Sequence, residues 1–313
     1  MRVLFFGTSA FAVPSLERVA GAGHTVVLCV TQPDRPQGRG LGLEPSPVKQ
    51  TALRLQLPLA QPERLEADAF RSLQPDVGVV VAYGNLIRRE LLALPVHGML
   101  GVHPSLLPKY RGAAPVAWAL LNGESQTGVT IFRLNERLDA GELLRSHRVS
   151  IEPGEDAEAL TNRLARLGAE ELVRGLEQIS EGRAAWTPQD EAQASLAPKL
   201  TKAQGRIEWS QPAEAIERLV RATIPWPGAS AEWSGEPVKV WRAVAQGPEG
   251  TTAAGARPGT VAHVSPEAIG VATGTGLLEL LEVQPAGRRR MTVKEFLAGH
   301  PVRVGDRFGA SHA

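Results

Sequence analysis

His97–Trp118, HGMLGVHPSLLPKYRGAAPVAW, is the stretch around which the chain is organised. Met99, Leu100 and Val102 form a short apolar run that predicts a buried strand, and this strand delivers His103 at its carboxyl end, where Pro104 stops it. Pro104 and Pro108 bracket Ser105, Leu106 and Leu107 in a stiff segment. Its backbone N–H and C=O groups cannot all join a ladder, which leaves them for a flat heteroaromatic ligand. Lys109, Tyr110, Arg111 and Gly112 add positive charge and a flexible point. A helix follows from Ala113 to Leu121, with Pro115 in its first turn. Strand, histidine, rigid loop, basic corner and helix together make the rim of a site in an open α/β sheet, where ligands bind beyond the carboxyl ends of strands.

Working outward, Arg2–Phe6, Val26–Thr31 and Asp76–Ala82 are further apolar runs of strand length, and DVGVVVA reads as a strand covered on both faces. Helical patterns at Pro14–Ala22, Val48–Gln56, Glu63–Leu73 and Arg88–Leu94 alternate with them. The fold class is therefore α/β, a doubly wound, mostly parallel sheet. Only Gly7 stands where a dinucleotide fingerprint needs three glycines, so that ligand class is not supported. Thr127–Arg133 and Leu143–Ile151 add two strands around the turn-rich loop Leu134–Gly141, and Asp156–Ile179 is an amphipathic helix with Leu160, Leu164, Leu167, Leu172 and Leu176 on one face. Residues 183–204 lack a period and read as a linker between a catalytic domain, 1–182, and a second domain, 205–313. From Gly205 short β-like runs recur at close spacing, as in a small OB-like β-barrel.

The chain has 313 residues, enough for two cores, and a net charge of +1. That charge is uneven: residues 199–313 hold 14 basic against 11 acidic side chains, and the remainder 20 against 22. The mild basic bias suits a polyanion. Residues 32–47 contain four prolines and three glycines with no apolar face. They predict a mobile connection, with Arg35 and Arg39 near its tip suited to an anionic partner. Cys29 is the single cysteine and lies in an apolar run, which points to a small buried hydrophobe. No apolar run has the length of a signal peptide or membrane span, and no cluster has metal-ligand spacing. The expectation is a cytoplasmic protein with no metal and no membrane contact.

His103 and Asp139, separated by one helix and one strand, can face each other across a sheet-edge crevice. A carboxylate beside an imidazole raises its pKa and fixes its tautomer, which suits proton transfer to a developing oxyanion. Spacing alone favours the plainer alternative of a strand-end histidine and a turn aspartate bonded to its own backbone. Ser105 lacks the G-x-S-x-G context of a nucleophile.

HPSLLPKYRGAAP followed by TGVTIFRLNERLDAGEL closely resembles the signature of the 10-formyltetrahydrofolate-dependent formyltransferases, and the likeness runs from MRVLFFGTSAFAVPSL to LLELLEVQPAGRRRM. TQPDRPQGRG, PSPVK, LAPKLTKAQGRIEW and PWPGA resemble the branch that acts on an aminoacyl-tRNA. The resemblance implies a formyltransferase-like Rossmann variant, a monomer using 10-formyltetrahydrofolate as co-substrate and initiator methionyl-tRNA as acceptor. It implies that Ser105, Leu106, Leu107 and Pro108 line the folate site, that His103 and Asp139 are catalytic, and that Arg35, Arg39, Lys199, Lys202 and Arg206 contact tRNA. The family pattern has asparagine two residues before the histidine, where this chain has Gly101. Asn85 is then a candidate to supply the missing amide. The departure leaves open a weakened formyltransferase, a non-catalytic binder of folate or tRNA, or a formyltransferase acting on another amine.

Overall fold

Residues with branched or aromatic side chains pack well on a pleated surface, and the apolar runs of the first half all become strands. In the computed structural model, which describes residues 1–37, 42–247 and 256–310, the elements in order are β1 (Arg2–Gly7), α1 (Val13–Gly21), β2 (Thr25–Val30), β3 (Arg35–Gln37), β4 (Gly42–Glu44), α2 (Pro47–Arg54), β5 (Leu59–Ala60), α3 (Asp68–Arg71), β6 (Val77–Val81), α4 (Arg89–Leu92), β7 (Met99–His103), α5 (Pro115–Leu121), β8 (Gln126–Arg133), β9 (Leu143–Ser150) and α6 (Ala157–Ser180). Seven strands join in the order β5-β2-β1-β6-β7-β8-β9. The first five are parallel, while β8 and β9 are antiparallel. The chain builds outward from β1 through β2 to β5 and then returns to β6 and β7, so the switch in strand order lies between β1 and β6, next to β7.

Alternation along β1 shows why the sheet is apolar throughout. Val3 and Phe5 enter one core with Leu100, Val102, Leu172 and Leu176, while Leu4 and Phe6 enter another with Phe70, Tyr83, Leu91 and Met99. Two expectations change. Glu63–Leu73 forms only the one turn of α3, because Phe70 is its one fully buried anchor. The described flanks of the connection after β2, expected without regular structure, pair as β3 with β4, and their base is tied by Thr31 Oγ1 to Ser46 Oγ at 2.7 Å and by Lys49 to Asp34 at 2.5 Å.

The contacts divide the chain into two compact units. The first comprises residues 1–115, 126–151 and 160–198, and the second residues 116–125, 152–159 and 199 onward. Residues 183–198 are laid along the first unit: Leu143 and Thr187 exchange backbone hydrogen bonds of 2.8 and 2.9 Å, and Ala197 N–H donates to the Arg111 carbonyl at 2.7 Å.

In the second unit the elements are α7 (Ala213–Ala222), β10 (Ala229–Trp233), β11 (Glu236–Gln246), β12 (Val261–Val264), β13 (Ile269–Ala272), β14 (Leu277–Pro285), β15 (Met291–Thr292), α8 (Val293–Gly299) and β16 (Phe308–Ala310). They form an antiparallel sheet in the order β12-β13-β14-β11-β10-β16, with β15 on β14. β11 shifts register around Arg242, and such irregularities bend a long strand so that a sheet can curl. The result is OB-like, filled by Trp209, Ile216, Val240, Leu280, Phe296 and Phe308.

Candidate active site

β7 is held on both sides, with Val80 of β6 opposite Gly101 and Thr130 of β8 opposite His103. This pairing aims His103 at the carboxyl end of the sheet while leaving it only 6% exposed. Its Nε2 lies 2.8 Å from the Tyr110 carbonyl oxygen. A carbonyl can only accept, so Nε2 carries a hydrogen and the neutral ring keeps its lone pair on Nδ1. Nδ1 stands 3.7 Å from Asp139 Oδ2, which also accepts from Gly112 N–H at 2.8 Å. Burial lowers the His103 pKa below 6.5, and the raising effects of Asp139 and the Tyr110 carbonyl do not cancel it. The expected upward shift is thus reversed, because the ring is desolvated more strongly than a carboxylate at 3.7 Å compensates. The imidazole is neutral at pH 7, and its next proton lands on Nδ1, facing Asp139.

The proline-bracketed loop is also different from expectation. Several of its backbone groups are already paired: Thr130 Oγ1 donates to the Ser105 carbonyl at 2.7 Å and accepts from Leu107 N–H at 3.1 Å. Ser105 Oγ donates to the Lys109 carbonyl at 2.6 Å, and Ser195 N–H donates to that of Pro108 at 3.3 Å. Ser105 and Leu107 are buried, so Leu106 and Pro108 are the members of Ser105–Pro108 with exposed surface. The hydroxyls of Thr130 and Ser105 make this loop a fixed wall and leave the Ser105 oxygen engaged.

Gly101 is filled from across the sheet. Phe132 is its partner on β8, and a Cβ built on Gly101 would lie 2.7 Å from Phe132 Cζ and 2.8 Å from Leu134 Cδ1. The same phenyl ring meets the His103 ring edge-on, 6.4 Å between centroids. Asn85 lies in the exposed turn after β6, where its Oδ1 accepts from Gln32 Nε2 at 3.3 Å.

Arg35 is exposed at the start of β3, and Arg39 lies outside the described residues. In the second unit Lys199 and Lys202 are exposed and Arg206 is half-buried. Among the described residues no group of three His, Cys, Asp or Glu side chains could hold a metal, and no helix is long and apolar enough to cross a membrane. The Tyr110 carbonyl, Gly112 N–H and Thr130 hydroxyl escaped the sequence reading. Two of the three are backbone groups, which no residue type announces.

A doubly wound sheet with a histidine–carboxylate pair near its switch point is the arrangement of an α/β protein able to move protons beside a bound ligand. Residues 1–176 match the family described as formyl transferase and residues 199–301 its C-terminal domain; the chain belongs to the formyl transferase family. It is 49% identical over 314 residues to methionyl-tRNA formyltransferase of Thermus thermophilus, covering 99% of each chain. Identity to methionyl-tRNA formyltransferase of Solibacter usitatus is 44% over 316 residues, covering 100% of each. The crystal structure of HypX from Aquifex aeolicus in complex with tetrahydrofolic acid shares the fold, with a TM-score of 0.63 at 20% identity. That alignment covers 100% of this chain and 51% of HypX, so the chain spans about half of HypX.

Proposed function

We propose that this chain transfers the formyl group of 10-formyltetrahydrofolate to the α-amino group of initiator methionyl-tRNA. The observation that carries the reading is the His103–Asp139 pair at the end of β7, in a chain whose full-length relatives are named for that activity. Formyl transfer to an amine needs a base for the amine proton and a donor for the oxyanion that forms on the formyl group. Neutral His103 supplies the base at Nδ1. As the amine nitrogen bonds to the formyl carbon, its proton passes to Nδ1, and the imidazolium so formed is steadied by Asp139. The positive charge of that imidazolium stabilises the oxyanion, and Nδ1 then returns the proton to the folate N10 as the N10–carbon bond breaks. Nε2–H stays on the Tyr110 carbonyl throughout, so the ring keeps its orientation.

The folate ring lies against the exposed surfaces of Leu106 and Pro108, with Ser105 and Leu107 behind them as the wall. Arg35 and Arg39 approach the acceptor arm of the tRNA, and Lys199, Lys202 and Arg206 contact phosphates. The same reading takes the protein as a monomer that meets its substrates in the cytoplasm. The test is formylation of initiator methionyl-tRNA by the wild-type chain and by His103→Ala. Product from the wild type and a loss of roughly 10²–10⁴-fold in the variant is expected, the usual range for a lost acid–base group. Binding of both substrates with no turnover by the wild type would overturn the reading.

A further inference from the structure

Asp139 has a backbone φ of +49°, a left-handed conformation that aspartate adopts more readily than most side chains and that contacts from elsewhere in the chain can hold in place. The group that holds the turn here is Gln189, fifty residues away in sequence. Its Nε2 donates to the carbonyls of both Asp139 and Gly141, at 2.8 Å each. At Gly141 the turn admits no side chain, because a Cβ would overlap the Arg133 carbonyl. Gln189 Oε1 is itself held, accepting from Arg111 Nε at 3.1 Å and Nη2 at 2.7 Å. Arg111 is buried and pairs with both oxygens of Glu191, at 3.0 and 3.1 Å. The amide therefore needs two hydrogens on one side and an acceptor on the other. A carboxamide of glutamine length meets that demand, while a carboxylate has no hydrogens to give.

The same stretch of chain holds the other partner of His103. Ser195 Oγ accepts from Tyr110 N–H at 2.9 Å and its carbonyl accepts from Arg111 N–H at 2.8 Å, fixing the peptide whose carbonyl receives His103 Nε2–H. Both polar groups beside the imidazole thus hang on residues 189–195.

We propose that Gln189 is a positioning residue for formyl transfer, setting the separation between Asp139 and His103 by clamping the carbonyls of residues 139 and 141. This rests on the reading of His103 and Asp139 as the reacting pair. The test uses the full chain carrying Gln189→Met, which keeps the length and removes both the donor and the acceptor. Three quantities are measured: the imidazole titration of His103 by ¹⁵N NMR, assigned with His103→Gln; thermal unfolding; and kcat and KM for formyl transfer.

With the clamp gone, Asp139 recedes and its raising influence on the imidazole weakens, so His103 titrates at lower pH than in the wild type. A misplacement on the order of 1 Å costs up to about 10²-fold in rate, so kcat falls roughly 10–100-fold with KM for the tRNA little changed. Gln189→Glu retains the acceptor for Arg111 but not the donors, and it loses kcat to the same extent. A Met variant with wild-type titration and kcat overturns the proposal, whatever happens to its unfolding temperature. If the Met variant does not fold, wild-type kcat in the Glu variant overturns it. If the wild type proves inactive as a formyltransferase, the titration alone decides, which separates failure of the positioning role from failure of the functional reading.

Discussion

Placing asparagine at Gly101 restores the side chain that the resembled family carries there, yet the structure opposes it. A Cβ at that position would sit 2.7 Å from Phe132 Cζ and 2.8 Å from Leu134 Cδ1, where comfortable carbon contacts need about 3.5–4.0 Å. The phenyl ring must therefore retreat by about 1 Å. It is buried and packs edge-on with the imidazole of His103, so it cannot swing into solvent and its displacement is passed to that ring. Overpacking of this kind costs ~1–3 kcal/mol. For a unit of this size, each kcal/mol lowers the unfolding midpoint by roughly 2–4 °C. Gly101→Asn should accordingly melt several degrees below the wild type and formylate methionyl-tRNA more slowly, despite its added amide. Replacing the ring as well, in Gly101→Asn with Phe132→Leu, opens the space; the midpoint should recover and kcat should exceed that of the wild type. One preorganised donor to an oxyanion contributes roughly 10²–10³ in rate, which sets the ceiling of that gain. A calorimetric scan and steady-state formylation of the three variants decide the matter. Gly101→Asn with an unchanged midpoint and a raised kcat would refute the argument that Phe132 has taken the place of the missing side chain.

Burial holds His103 below its ordinary 6.5, so the acid limb of kcat/KM should lie below pH 6.5. Asp139→Asn removes the charge that raises the imidazole, and should move that limb lower while cutting kcat; a limb centred above 6.5 contradicts the neutral-base role. The same depression affects stability. Below pH 6.5 the unfolded chain binds more protons than the native one, so this contribution is full above that pH, falls as acid protonates the imidazole of the unfolded chain, and levels off below the native pKa, a slope His103→Gln should flatten in urea melts at pH 5–7. His24, also lowered by burial, keeps its share of the slope. The Cys29 thiol, on β2 itself, is buried and its pKa is pushed up to about 12, so a disulfide reagent should label it at the rate of unfolding; prompt labelling of the native chain would refute this. Lys199→Ala and Lys202→Ala should each lower by about one unit the log–log salt slope of inhibition by uncharged tRNA, and unchanged slopes would remove both from the contact surface.

What the sequence displays of this site is its acid–base chemistry, and what it hides is the geometry that makes the chemistry work. Apolar runs ending in Gly or Pro placed the strands, and Pro104 placed His103 at the edge of the sheet. Imidazole and carboxylate side chains announce themselves by type, so Asp139 was a candidate before its 3.7 Å separation from His103 was known. The filling of Gly101 could not be read, because it depends on the register that puts Phe132 opposite it, and that register is fixed by a pairing across thirty residues of intervening chain. The direction of the imidazole shift is hidden for a related reason: a nearby carboxylate is visible in sequence, whereas the depth of burial that outweighs it is a property of the packed sheet. The supports of the pair are harder still. They act through the Tyr110 carbonyl, the Gly112 N–H and the carbonyls of residues 139 and 141, groups that nearly every residue possesses, and the side chain that gathers two of them, Gln189, stands in a stretch without periodicity. A segment whose task is to satisfy backbone groups needs polar side chains at irregular spacing, and such a segment has the same texture as a linker. Residues 183–198 are therefore the region where pattern and role diverge most, and the two bonds from Gln189 to the carbonyls of residues 139 and 141 are where that role becomes measurable.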